Sequence, residues 1–177
     1  MAHGIEGLDK LMKKYGSLAE SAANQAMSKA VGASCKMVQA EARLLCPVSS
    51  GELRRSIRTS VETSGDVVTG IVYTNKKYAP FVEFGTGPKG QENHAGISPA
   101  VTPAYTQSPW WIHESQVDAE AAARYHWFYI DTDEGRFYQC TGQPAQPFMY
   151  PALKNNEERA TRNISNYLAR EIRKVCK

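Results

Sequence analysis

From Leu18 onward, small and apolar residues fall at Ala22, Ala26, Ala30, Ala33, Met37, Ala40 and Leu44. Those steps of three and four residues trace one face of a long helix. The face is largely alanine, so it is flat and suits close approach to a sheet or another helix. Cys46-Pro47 closes the helix, because the residue before a proline is pushed out of helical conformation. A shorter helical piece with Ile5, Leu8, Leu11, Met12 and Tyr15 precedes it and ends near Gly16-Ser17.

Beyond "PVSSG" the period changes. Ile57, Thr59 and Val61 alternate with Arg58, Ser60 and Glu62, which predicts a half-buried strand. Thr63 to Asp66 supplies turn chemistry, and Val67 to Thr74 reads as the returning strand. From Pro88 to about Gly142 prolines punctuate an extended stretch that ends in Trp110-Trp111, followed by a short helical candidate from Val117 to Arg124. Tyr125 to Ile130 and Arg136 to Cys140 then flank "DTDEG", the pattern of a second, aromatic-rich hairpin. Leu153, Ala160, Ile164, Tyr167, Leu168, Ile172 and Val175 mark one face of a final helix, with Pro151 near its first turn. The expected fold is α+β: a long N-terminal helix and a C-terminal helix packed on a small, mostly antiparallel sheet. It is read as one domain over 1–177, carrying an insertion at about 91–142.

Several chemistries fail on the residues they need. Gly85 to Gly90 fits GxGxxG, but that fingerprint requires a buried parallel strand before it and a helix opening after it. Pro88 removes one amide donor there, "QENHAGISP" does not read as a helix start, and a tight turn is expected instead. His113-Glu114 begins HExxH, yet position 117 is Val, and a metal held by His94, His113 and Cys140 would need three distant segments to converge. "GISPA" (Gly96 to Ala100) has the wrong surroundings for a nucleophile elbow, and Asp131, Asp133 and Glu134 read as turn residues. No cofactor and no metal is expected. Four cysteines without a CxxC, no apolar leader and no membrane-length apolar run give a soluble chain with reduced thiols. The net charge of +3 is modest, and Arg54, Arg55 and Arg58 cluster without interleaved aromatics, so DNA contact would be non-specific.

Three stretches that combine turns, bulky apolar residues and one or two charges remain. They are "CPVSSGELRRSI" (Cys46 to Ile57), "YAPFVEFGTGP" (Tyr78 to Pro88) and "QPAQPFMYPAL" (Gln143 to Leu153). In this order they resemble the three signatures of the gene-product-ten-like tail-component family named after phage Hong Kong 97. In the first, the matching positions are Pro47, Val48, Gly51, Leu53, Arg54, Ser56 and Ile57. In the second they are Tyr78, Ala79, Phe81, Glu83, Phe84, Gly85, Thr86 and Gly87, and in the third Gln146, Pro147, Phe148, Pro151 and Ala152. Cys46 and Ser49-Ser50 stand where the family often has Ala and Asp-Thr. Tyr78, Phe81 and Phe84 are read as apolar anchors before a loop, and Glu83 as the ionic partner of Arg54.

The resemblance implies a structural protein of the virion, made in the host cytoplasm and acting at the neck or tail. Its implied partners are other neck and tail proteins, namely head-closure and tail-terminator components, in a ring of subunits, with no membrane. The insertion supplies candidate contact residues in Trp110, Trp111, Trp127 and Phe128, because tryptophan dominates binding hot spots. A basic DNA-contacting module and a prophage accessory enzyme are the alternatives.

Overall fold

The computed structural model describes residues 8–124 and 126–175. Its order is α1 (Leu8–Leu45), α2 (Glu52–Ser56), β1 (Arg58–Ser64), β2 (Val67–Tyr73), α3 (Ala79–Phe84) and α4 (Gly87–Glu92). There follow β3 (Trp110–His113), a 3-10 turn (Glu114–Gln116), α5 (Ala119–Arg124), β4 (Tyr129–Thr132), β5 (Gly135–Cys140) and α6 (Met149–Val175). The α+β class is as expected. The interruption at Gly16-Ser17 is not: α1 runs through it as one helix of 38 residues. A glycine in a helix interior costs only about 1 kcal/mol, and a long helix propagates across such a position once it has nucleated. Ile5 lies outside the described residues.

The chain divides into two compact units. The first holds α1 as far as Leu44, Arg55–Asn75, and α6 from Ala152. In it α1 serves two neighbours with adjoining faces. The β1–β2 hairpin, in register from Arg58↔Tyr73 to Ser64↔Val67, packs on the line Ser28, Gly32, Cys35, Gln39. Ser28 Oγ lies 3.3 Å from Thr63 Oγ1, and Gln39 Nε2 and Arg43 Nη2 each donate to the Ile57 carbonyl at 2.7 Å. Gly70 of β2 lies so close to α1 that a methyl there would strike Cys35 Sγ and come within 2.7 Å of Val31 Cγ1.

The second neighbour is α6, which runs antiparallel to α1. Glu41 accepts from Asn155 Nδ2 at 2.7 Å and from Asn156 Nδ2 at 2.5 Å. One helical stretch back, Ser34 Oγ accepts from Asn163 Nδ2 at 3.4 Å and donates to Ala30 O at 3.1 Å. This corrects the expected apolar faces. Ala22, Ala33, Ala40 and Leu44 are exposed, Leu44 by 77%, while Ala30, Ser34, Cys35, Val38 and Ala42 are buried. On α6, Leu153 and Ile172 are exposed, and Ala152 and Asn156 are buried. The seam is built from small residues and satisfied polar ones, which a hydrophobic count passes over. Replacing Gly70 with alanine is expected to cost about 1–3 kcal/mol through overpacking against α1, readable as a lower urea midpoint.

The second unit comprises Leu45–Arg54 and Lys76–Pro151. Its sheet has the order β3-β5-β4, antiparallel throughout. The aromatic hairpin is therefore joined by a third strand: Trp110-Trp111 pairs with Cys140 and Gln139 rather than ending a loose stretch. Its first strand begins at Tyr129, later than expected, and Tyr125 lies outside the described residues.

Candidate functional site

Within the second unit, parts of all three signature stretches converge. Gly85 ends α3 at φ 77°, ψ 178°, a conformation open essentially only to glycine. Thr86 is extended, and its N–H and C=O bridge Gln143 in both directions, at 2.9 and 3.1 Å. Gln143 Nε2 donates to Phe81 O at 2.8 Å, and Gln146 N donates to Val82 O at 2.8 Å. A methyl on Gly85 would lie 2.7 Å from Ala145 N and 2.8 Å from Gln143 O. The second and third signatures are thus clasped backbone to backbone.

Contrary to expectation, a helix does open at these glycines. Pro88 sits in the first turn of α4, where a missing N–H costs nothing. The element before it is the helix α3 rather than a strand, so the dinucleotide geometry is absent all the same.

Glu83 has the central role. Its side chain is buried, and Oε2 accepts from Phe148 N at 2.7 Å and Met149 N at 2.9 Å, while Oε1 accepts from Tyr150 N at 3.0 Å. These are the free donors at the start of α6, and the next residue, Pro151, has no N–H to satisfy. One carboxylate from α3 and one proline account for every orphan donor of that turn, and the negative charge lies where the helix dipole favours it. The expected Glu83–Arg54 ion pair does not form. Arg54 Nη2 donates instead to Cys46 O at 3.3 Å, and its Nε is buried without a partner.

The first signature turns at Gly51 (φ 75°), with Ser50 Oγ accepting from Glu52 N at 3.4 Å and Glu52 paired to Lys76 at 2.7 Å. Leu53 and Cys46 are buried, and burial pushes the Cys46 thiol up, with Glu83 adding to that shift and Arg54 opposing it. Pro47, Val48, Tyr78, Val82, Gln143 and Gln146 line an open groove of about 310 Å³ together with the Ser49–Leu53 turn. Tyr78 and Phe81 are not anchors. They are 42% and 57% exposed, whereas Ala79, Glu83 and Phe148 fill the interior. Pro147 and Phe84 are half-buried. Ser56, Ile57 and Ala152 are buried in the first unit, where Ser56 Oγ meets Thr74 Oγ1 at 2.6 Å.

The four candidate aromatics divide between the faces of the three-stranded sheet. Trp110 and Trp127 lie on one face and are half-buried. Trp110 covers Gly87, and Trp127 meets Tyr138 edge-on at 6.4 Å. Arg136 lies 4.0 Å over the Tyr129 ring and bonds Asp131 at 2.7 Å, which holds that carboxyl below its usual range. Trp111 and Phe128 pair on the opposite face at 6.0 Å and stay 42% and 63% exposed. His94 stacks on Tyr105, while His113 is held by Ser115 Oγ and Glu134 O. Among the described residues no three His, Cys, Asp or Glu side chains are grouped to hold a metal, and Cys35, Cys46 and Cys140 are free thiols. No described helix is long and apolar enough to cross a membrane.

Residues 9–85 match the family model described as "Bacteriophage HK97-gp10, putative tail-component". Over this stretch the chain is similar to the HK97-gp10-like family. No curated protein and no solved structure gives a match. The family is one of phage tail components, and α1, the β1–β2 hairpin, the first signature and Glu83 all lie inside the match. The match ends at Gly85, short of the third signature, to which the Glu83 carboxylate is nonetheless hydrogen-bonded. The HK97-gp10-like stretch therefore supplies the carboxylate, and the segment beyond it supplies the donors.

Proposed function

We propose that this protein is a structural, non-catalytic virion component of a long-tailed double-stranded DNA phage or prophage. It acts at the head–tail interface as a neck or tail-completion protein. Copies made in the host cytoplasm form or join a ring between head-closure and tail-terminator proteins. The tail-component family supports the virion setting, and the exposed Trp111–Phe128 pair supports a binding role. That pair is carried by a sheet whose other face is braced by Trp110, Trp127 and the Arg136–Asp131 ion pair. Rigid aromatic anchors lose little conformational entropy on binding and dominate hot spots. In a ring each contact is repeated by symmetry, so weak joints add up to a durable one.

Deleting the gene is expected to leave DNA-filled heads beside separate tails in electron micrographs. Added wild-type protein should restore particles. A Trp111→Ser, Phe128→Ser double variant should keep its circular dichroism yet restore about 100-fold fewer infectious particles, or less. Normal tailed virions from the deletion strain would overturn the reading.

A further inference from the structure

Charge is segregated along this chain. Between Gln91 and Gly142 there are seven Asp and Glu against two Arg, a net −5; with +3 overall, the remainder carries +8. We propose that the exposed sheet face of this acidic insertion docks onto the C-terminal half of α6 in a second copy of the chain. The inference rests on the ring reading and names the surfaces that would join the copies.

The docking face is apolar in its middle. The pairings His113↔Phe137 and Ile130↔Phe137, with Trp111↔Gln139 and the Gln139 N to Phe128 O bond at 2.8 Å, put Trp111, Phe128, Ile130 and Phe137 on one side. Gln139 and His113 share this side, and no Asp, Glu, Lys or Arg lies among them. The acids gather at the tip instead, where Asp133 and Glu134 form the β4–β5 turn and Glu114 follows β3. All three are exposed.

The complement is present on α6, where Arg170, Arg173 and Lys174, three and four residues apart, share one face of the helix and are all exposed. A basic stripe fits an aromatic centre with an acidic rim, since guanidinium groups stack on aromatic rings as well as pairing with acids. Self-pairing of two insertion faces would set like charges against each other, which disfavours a two-fold dimer through this face. Two different patches that recognise one another make a head-to-tail contact, the kind that builds rings. The acidic and basic rims also make the contact salt-sensitive.

The test is sedimentation velocity of the full chain over a range of concentration and salt. Two variants are compared, Asp133→Lys with Glu134→Lys, and Arg170→Glu with Arg173→Glu, each checked by circular dichroism. Wild type is expected to self-associate, more weakly at high salt. Each variant alone should associate about 100-fold more weakly, and a 1:1 mixture of the two should recover assembly, because every arm then meets a helix of opposite charge. Phe128→Ser serves as an independent variant, expected to weaken association about tenfold or more should a reversal variant misfold. Self-association that both reversals leave unchanged overturns this docking and spares the ring. A wild type that stays monomeric at every concentration and at low salt overturns the docking as well as self-assembly, leaving only a role in joining a ring of other proteins.

Discussion

Glu83→Ala is expected to destabilise the protein by about 4 kcal/mol, because three charge-assisted hydrogen bonds disappear and one buried and two partly buried amides lose their acceptor. For a chain of this size that corresponds to a fall of about 10 °C in melting temperature. Glu83→Gln should do roughly half the damage, about 2 kcal/mol, since one carbonyl oxygen still accepts while the NH2 group faces a donor. Hydrogen exchange reads the cause directly: the amides of Phe148, Met149 and Tyr150 should lose protection ahead of the rest of α6. A loss below 1 kcal/mol with those amides still protected would mean that something else caps the helix.

Gly85→Ala is the second large effect, at about 3 kcal/mol. A side chain there meets two penalties at once, a φ/ψ region that L-residues avoid and a collision with the backbone of Ala145 and Gln143. Gly65 offers the control. It too has positive φ, at 57°, but a methyl there meets nothing within 4 Å, so Gly65→Ala should cost only about 1 kcal/mol. Equal losses at the two positions in denaturant titrations would show that local strain alone is felt and that the clasp contributes nothing.

The sequence disclosed what depends on local pattern. The α+β class, the β1–β2 hairpin, α5 and α6 followed from periodicity and turn residues, and the match to the HK97-gp10-like family agrees with the first two signatures. What stayed hidden depends on distant partners. On sequence alone Glu83 reads as half of an ion pair, because its charge is visible there while the backbone donors that fold beside it are not. Its actual acceptor role involves amides 65 to 67 residues away, which leave no mark on composition. The clue lay in Pro151, a residue that removes one donor from a helix start whose other donors then need an acceptor. The faces of α1 were misassigned for a related reason. Ser34, Cys35 and Asn156 are interior residues only because each finds a small neighbour or a bonding partner across a seam. Trp110 and Trp111 could not be told apart either, since adjacent strand residues point to opposite faces and the register alone decides which is outward.

The seam between α1 and α6 also sets an order in time. Glu41 and Asn156 are 115 residues apart, and Ser34 and Asn163 are 129 apart. Every segment of the second unit is synthesised before α6 arrives to cover α1. Contacts of such long range must bear their loop-closure entropy before they return any stabilisation, so the α1–α6 pairing is expected to be the slow, late step of folding. The basic helix proposed to receive a neighbour is thus made after every other described element, and until it arrives α1 keeps an uncovered seam of the kind that chaperones recognise.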